Sequence, residues 1–249
     1  TKLNKKIHKD GTELSGGARG RLQRTRRFRR LEDLLGAAAL LDVDPYLAGD
    51  PVFGDRADND ARRPGRRVGE GEPYGYLYDL CGRSCEGWAT LSSGSRDGRW
   101  SGYAGFRVGG TVFFRRGHYE KALFPGELSL GRSPDVRFVD YRLCTGTECR
   151  LSPRHSLGLD LFCGSGTPRA DDVFLAPESR RTTVGAPRSE RSVGAELRYR
   201  FSGRWATLSL TGYATRRRGG MRVYRYYDDL SSLYCRMAVS KSSFVRVPK

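Results

Sequence analysis

The sequence is short of acid, of histidine, of methionine and of long apolar runs. Its 249 residues carry 28 Asp and Glu against 45 Lys and Arg, a formal net charge of +17. That deficit of acid points to partners that supply it: nucleic acid, acidic proteins, or phosphorylated or sulfated glycan surfaces. The longest mostly apolar run, residues 34–43, is interrupted by Asp42. It falls far short of a membrane-crossing helix, so no transmembrane segment of that kind is expected. The three histidines, His8, His118 and His155, are scattered, and the cysteines form no paired C-x2-C knuckles. No metal is therefore expected, and no cofactor. Gly109-Gly110 is not followed by Lys-Ser or Lys-Thr, which excludes a phosphate loop. Gly164-Ser-Gly166 lacks the flanks of a nucleophile elbow. With no catalytic constellation in view, the chain reads as a protein that is not an enzyme.

Six cysteines stand at Cys81, Cys85, Cys144, Cys149, Cys163 and Cys235. An even number permits three disulfides in an oxidising compartment, and all six are disulfide candidates. Free buried thiols in a reducing compartment are the alternative. His155 lies between Cys149 and Cys163, but a structural role suits these cysteines better than a nucleophile pair. The chain starts on Thr1, as after loss of a signal, transit or propeptide segment, and the compartment stays open.

Residues 1–73 differ in composition from the rest. Gly16, Gly17 and Gly20 interrupt any helix, and Arg21, Arg24, Arg26, Arg27, Arg29 and Arg30 follow as a dense block. Leu31, Leu34, Leu35, Ala38 and Leu41 recur at helical spacing, which predicts a short helix over 31–44 stopped by Pro45. Gly, Pro, Asp and Arg then dominate up to Pro73, as in a linker. This is an extended basic arm. A second basic block is Arg62, Arg63, Arg66 and Arg67, and a third is Arg216, Arg217 and Arg218. The guanidinium fork suits phosphate, sulfate and carboxylate, so all three blocks are candidate polyanion-binding sites. Arg24-Thr-Arg-Arg27 also resembles a dibasic processing site.

From Tyr74 onward, short alternating segments separated by Gly, Ser, Pro and Asp read as strands, and the fold class is all-β. Trp88-Ala-Thr-Leu-Ser92 returns as Trp205-Ala-Thr-Leu-Ser209. Ser101-Gly-Tyr-Ala104 returns as Thr211-Gly-Tyr-Ala214, and Gly109-Gly110 as Gly219-Gly220. The copies stay in step if residues 93–99 are an insertion. Such a repeat predicts two β units, 74–150 and 151–249, with Trp88, Trp205, Tyr103 and Tyr213 in the structural core.

The segments Gly109-Gly-Thr-Val-Phe-Phe-Arg-Arg-Gly-His-Tyr119 and Gly219-Gly-Met-Arg-Val-Tyr-Arg-Tyr-Tyr-Asp-Asp-Leu230, the latter closing with Ser242-Ser-Phe-Val-Arg-Val247, resemble βγ-crystallin Greek-key motifs. The resemblance spans residues 74–249 and implies duplicated Greek-key or β-sandwich units. It implies that Tyr119 and Tyr227 are corner tyrosines of the core and that Ser243 is a capping serine. Calcium is not implied, because Ala238, Val239, Ser240 and Lys241 stand where that family carries its acidic pair.

Together these features predict a non-enzymatic secreted or luminal β protein, a structural subunit or binder of an acidic protein, glycan or nucleic acid, within a larger assembly. The alternative is an RNA-binding subunit of an organellar ribosome or virion, working through the arginine-rich arm.

Overall fold

A computed structural model describes the backbone of residues 2–9, 11–228 and 233–246, and the side chains of most of these up to Met221. The elements run β1 (Lys2–Lys9), β2 (Thr12–Arg30), β3 (Leu40–Leu41), α1 (Pro45–Ala48), β4 (Arg67–Val68), β5 (Pro73–Gly94) and β6 (Trp100–Gly117). They continue with β7 (Gly131–Arg132), β8 (Val136–Ser152), β9 (His155–Gly166), α2 (Ala170–Val173), β10 (Glu190–Ser202), β11 (Thr207–Asp228) and β12 (Leu233–Arg246).

The architecture is almost entirely β, in two antiparallel sheets. The large sheet has the order β1-β2-β5-β6-β8-β9-β10-β11-β12, with β7 annexed to β6; β3 and β4 form the small one. Each long strand pairs with the next long strand in the chain. This is an up-and-down meander, and among the described strands none returns to lie beside the first as a Greek key requires. The strands are long as well. β2 has 19 residues, β5 22 and β6 18. Ordinary strands run to about 5–6 residues.

The two rims of the sheet are unlike. One carries tight turns: Gly11 and residues 95–99, 153–154 and 203–206. The other carries three long connections, residues 31–72, 118–135 and 167–189. The turn rim is staggered. Thr12 begins β2 and lies on one ladder row with Ser93, Gly102, Thr147, Leu159 and Leu197. The turn that closes β10 onto β11 comes only at Ser202–Thr207, further down the strand. A rim that descends across the sheet means that the strands are tilted against it.

The buried core is small and lies at one rim. Tyr78, Leu80 and Phe138 project from β5 and β8 onto Val173 and Phe174 of the third long connection. Arg115 of β6 is fully buried there, and its guanidinium donates to the carbonyls of Pro177 and Ser129. One cation thus ties two connections to the strand beneath them.

Several sequence expectations are corrected. Residues 12–30 are not an arm but the strand β2, paired along its length with β5. Residues 31–44 hold no helix; the short helix is α1, just beyond them. The expected disulfides do not form: Cys81, Cys85, Cys144, Cys149 and Cys163 are all free thiols. Cys81 and Cys85 sit four residues apart in one extended strand, about 13 Å along it, beyond the reach of a disulfide. Cys144 and Cys149 sit five apart in β8 and project to opposite faces. The side chains of Cys235, Tyr227 and Ser243 lie outside the described residues.

Candidate functional site

Side chains alternate across a strand, so the register divides the large sheet into two faces. On one face the ladders carry Glu13, Ser84, Glu86, Tyr103, Arg107, Arg142, Glu148, Asp160, Glu196, Arg198 and Arg217. Here opposite charges meet. Glu86 pairs with both Arg19 and Arg107, Arg198 with Asp160 and Glu196, and Arg217 with Glu190. A cavity of about 370 Å³ opens on this face, lined from β2 to β10 by Glu13, Ser92, Tyr103, Glu148, Asp160 and Arg198 among others. In a flat sheet those two strands would stand about 24 Å apart. The sheet therefore curls, with the polar face inside.

Glycine permits the curl at two points. Tyr103, Gly146 and Asp160 share a row, and the Tyr103 hydroxyl donates to Asp160 at 2.7 Å by lying across Gly146. A Cβ on Gly146 would stand 2.4 Å from the tyrosine ring. Phe162 lies across Gly194 in the same manner, 2.4 Å from where a Cβ would be.

The outer face carries the other half of each strand. Leu3 and Ile7 of β1 project here, with Leu14, Ala18 and Leu22 of β2, and Ala89 and Leu91 of β5. Ala104, Phe106, Val108 and Val112 of β6 follow, then Val139, Tyr141 and Leu143 of β8 and Leu157, Leu159 and Leu161 of β9. Val193, Leu197, Leu208 and Leu210 extend the band onto β10 and β11. Leucines that alternate in this way ordinarily mark a core face. These are exposed, Leu22 at 82%, Val139 at 71% and Leu210 at 58%. Among the described residues the strands of the large sheet place one acid on this face, Asp79 of β5, and it is fully buried under Arg24, Arg26 and His118.

The long connections form a polar cap. Asp42 accepts from Asn59, Arg66 and the Gly75 N–H. Arg66 donates to the Tyr119 hydroxyl, which donates to the Pro73 carbonyl. Lys121 donates to Asn59 and to the Gly75 carbonyl, both at 2.6 Å, and burial pushes its ammonium down to about 8. Burial alone would raise the Asp60 carboxyl, but the Arg62 guanidinium and the Glu120 N–H outweigh it and hold it below the usual range.

The arginines singled out in the sequence are not one patch. Arg21 and Arg27 project to the inner face, Arg27 onto Asp171, whereas Arg24 and Arg26 project outward onto Asp79. Arg29 lies over the Tyr76 ring and Arg30 pairs with Glu32. Arg62 and Arg66 are held in the cap by Asp60 and Asp42, beside exposed Arg63 and Arg67. Arg216 and Arg218 point outward and Arg217 inward. Of the expected core aromatics, Tyr119 is buried and Trp88 half-buried, while Tyr103 and Tyr213 lie on the exposed inner face. Trp205 is 91% exposed, in a turn. Sequence reasoning missed Arg83, Arg137 and Arg191, all outward and exposed. The signal was there, in Arg137 standing two residues before Val139-Asp-Tyr141.

Among the described residues no group of histidines, cysteines or acids could hold a metal ion, and no helix is long and apolar enough to cross a membrane. No family model, curated protein or solved structure matches the chain.

Proposed function

We propose that this chain builds the wall of a membrane-spanning β-barrel, with acyl chains against its outer face and water along its polar inner face. The observation that carries the reading is the exposed apolar band. It continues over the long strands of the large sheet from β1 to β11, on the side away from the cavity. In water such a band is far larger than the apolar patches soluble proteins leave uncovered. In a bilayer it is the surface required, with apolar residues outward, polar residues inward and backbone groups satisfied between strands. Long tilted strands, short turns at one rim and long connections at the other fit the same architecture. On this reading the role is structural, and the acidic partner is a lipid surface.

The native thiols supply the test. Cys85, Cys149 and Cys163 lie in outward register positions. A charged, water-soluble maleimide is expected to leave them largely unmodified in lipid vesicles and to modify them all in urea. A cysteine placed inward, Ser192→Cys, is expected to react in both. Protein that fails to float with vesicles, or Cys85 labelled as fast in vesicles as in urea, overturns the reading.

A further inference from the structure

We infer that the outer face carries a belt of arginines that holds the phosphate groups of anionic lipids in the leaflet on the side of the long connections. The inference rests on the barrel reading above. Arg83, Arg116, Arg137, Arg191, Arg216 and Arg218 all project to the apolar side of the sheet, and all are exposed. They sit where the apolar band ends, towards the rim of long connections. Arg83 and Arg137 share one ladder row with Leu22 and Val112. Arg116 and Arg132 lie four residues further up, and Arg191 and Arg218 four residues further down on the far strands. The belt thus descends across the sheet in the same sense as the staggered turn rim, so it lies level with the rims rather than with the ladders.

Their surroundings call for an anion. Arg191 and Arg218 stand directly opposite one another across β10 and β11, and Arg116 stands opposite Arg132 across β6 and β7. Like charges in such positions are destabilising. Arg132 has Asp135. Among the described residues, no carboxylate pairs with the six belt arginines, in contrast to Arg19, Arg107, Arg198 and Arg217 on the inner face. One belt member is also held in place. The guanidinium of Arg83 packs on Phe114 at 5.5 Å from the ring centroid, beside that of Arg132 at 4.1 Å. Phe114 is thereby buried on a face whose other apolar side chains are largely exposed. Guanidiniums at the upper edge of a band sized for acyl chains meet lipid phosphates at the depth where headgroups lie.

The experiment compares two triple variants of equal charge in phosphatidylcholine vesicles containing spin-labelled phosphatidic acid or spin-labelled phosphatidylcholine. One removes belt arginines, Arg137→Gln, Arg191→Gln and Arg218→Gln. The other removes inner-face arginines, Arg21→Gln, Arg142→Gln and Arg200→Gln. The unaltered chain is expected to immobilise phosphatidic acid in preference to phosphatidylcholine by about tenfold. The belt variant is expected to fall near parity while still floating with the vesicles, and the inner variant to keep the preference. No preference in the unaltered chain, or equal losses in both variants, overturns the belt. If the unaltered chain immobilises neither lipid and does not float, it is the barrel reading that fails.

Discussion

Lys121 shows how tightly the cap is specified. Its ammonium is buried among the long connections and satisfied by Asn59 and a backbone carbonyl. Burial holds its pKa near 8, against 10.5 in the unfolded chain. Between those values the unfolded chain binds a proton that the folded cap does not, so the cap gains stability as pH rises from about 8 to 10.5. Below 8 the cost of burying the charge is present in full. Lys121→Met is expected to abolish that slope, as read by hydrogen exchange of residues 118–124 across the window. An unchanged slope in the variant would assign it to another group. Trp205 gives the opposite lesson at this scale. The repeated Trp-Ala-Thr-Leu-Ser invited a buried tryptophan, yet the second copy opens in a turn, while the first lies wholly within β5. Identical short strings take different positions because the register, not the string, decides which face a side chain meets.

At the level of the strand, the alternation of Leu157, Leu159 and Leu161, or of Leu208 and Leu210, was legible in the sequence, and the all-β class followed from it. The period says only that the two faces differ. It does not say whether the apolar one meets protein or lipid, and assuming protein led to a core that is not there. β2 was harder to read. Gly16, Gly17 and Gly20 lower strand propensity, and its arginines suggested a disordered arm. Pairing with β5 along its length overrides both. Glycine has a second use where strands curl. Gly194→Val places side-chain atoms where the Phe162 ring lies, 2.4 Å from the Cβ position, and near the Ala214 carbonyl at 2.8 Å. The expected destabilisation is about 1–3 kcal/mol in denaturant unfolding from vesicles. A shift under half a kcal/mol would mean that Phe162 swings clear without cost.

Across the whole molecule the apolar band has a height. Residues 193–201 of β10, apolar at every outward position, extend about 30 Å along the strand and, tilted as such walls are, about 23 Å through a bilayer. That is thinner than the usual hydrocarbon core of about 30 Å. Folded yield is therefore expected to be higher in vesicles of short-chain lipids than in those of long-chain lipids, as followed by protease resistance of the reconstituted chain. Equal yields at all chain lengths would mean that the band does not set the depth of the protein. The up-and-down order was not legible in the sequence, because strand order depends on which partners meet, and short apolar strings carry no record of their neighbours. The crystallin-like segments illustrate this: Gly109 to Tyr119 runs along β6 and into the following connection, inside a meander.

The contrast between the two rims has a directional consequence. The long connections form a body of their own, with Asp42, Arg66, Asn59 and Lys121 locked in a shared polar network. Dragging that body through hydrocarbon would strip water from the charges on its surface, Arg63, Arg67, Glu70 and Glu72 among them. The opposite rim has only a few residues at each turn to carry across. For the barrel proposed above, entry is thus a one-way event, turns leading and cap trailing, and every copy would come to rest facing the same way, with its cap in the compartment from which it arrived.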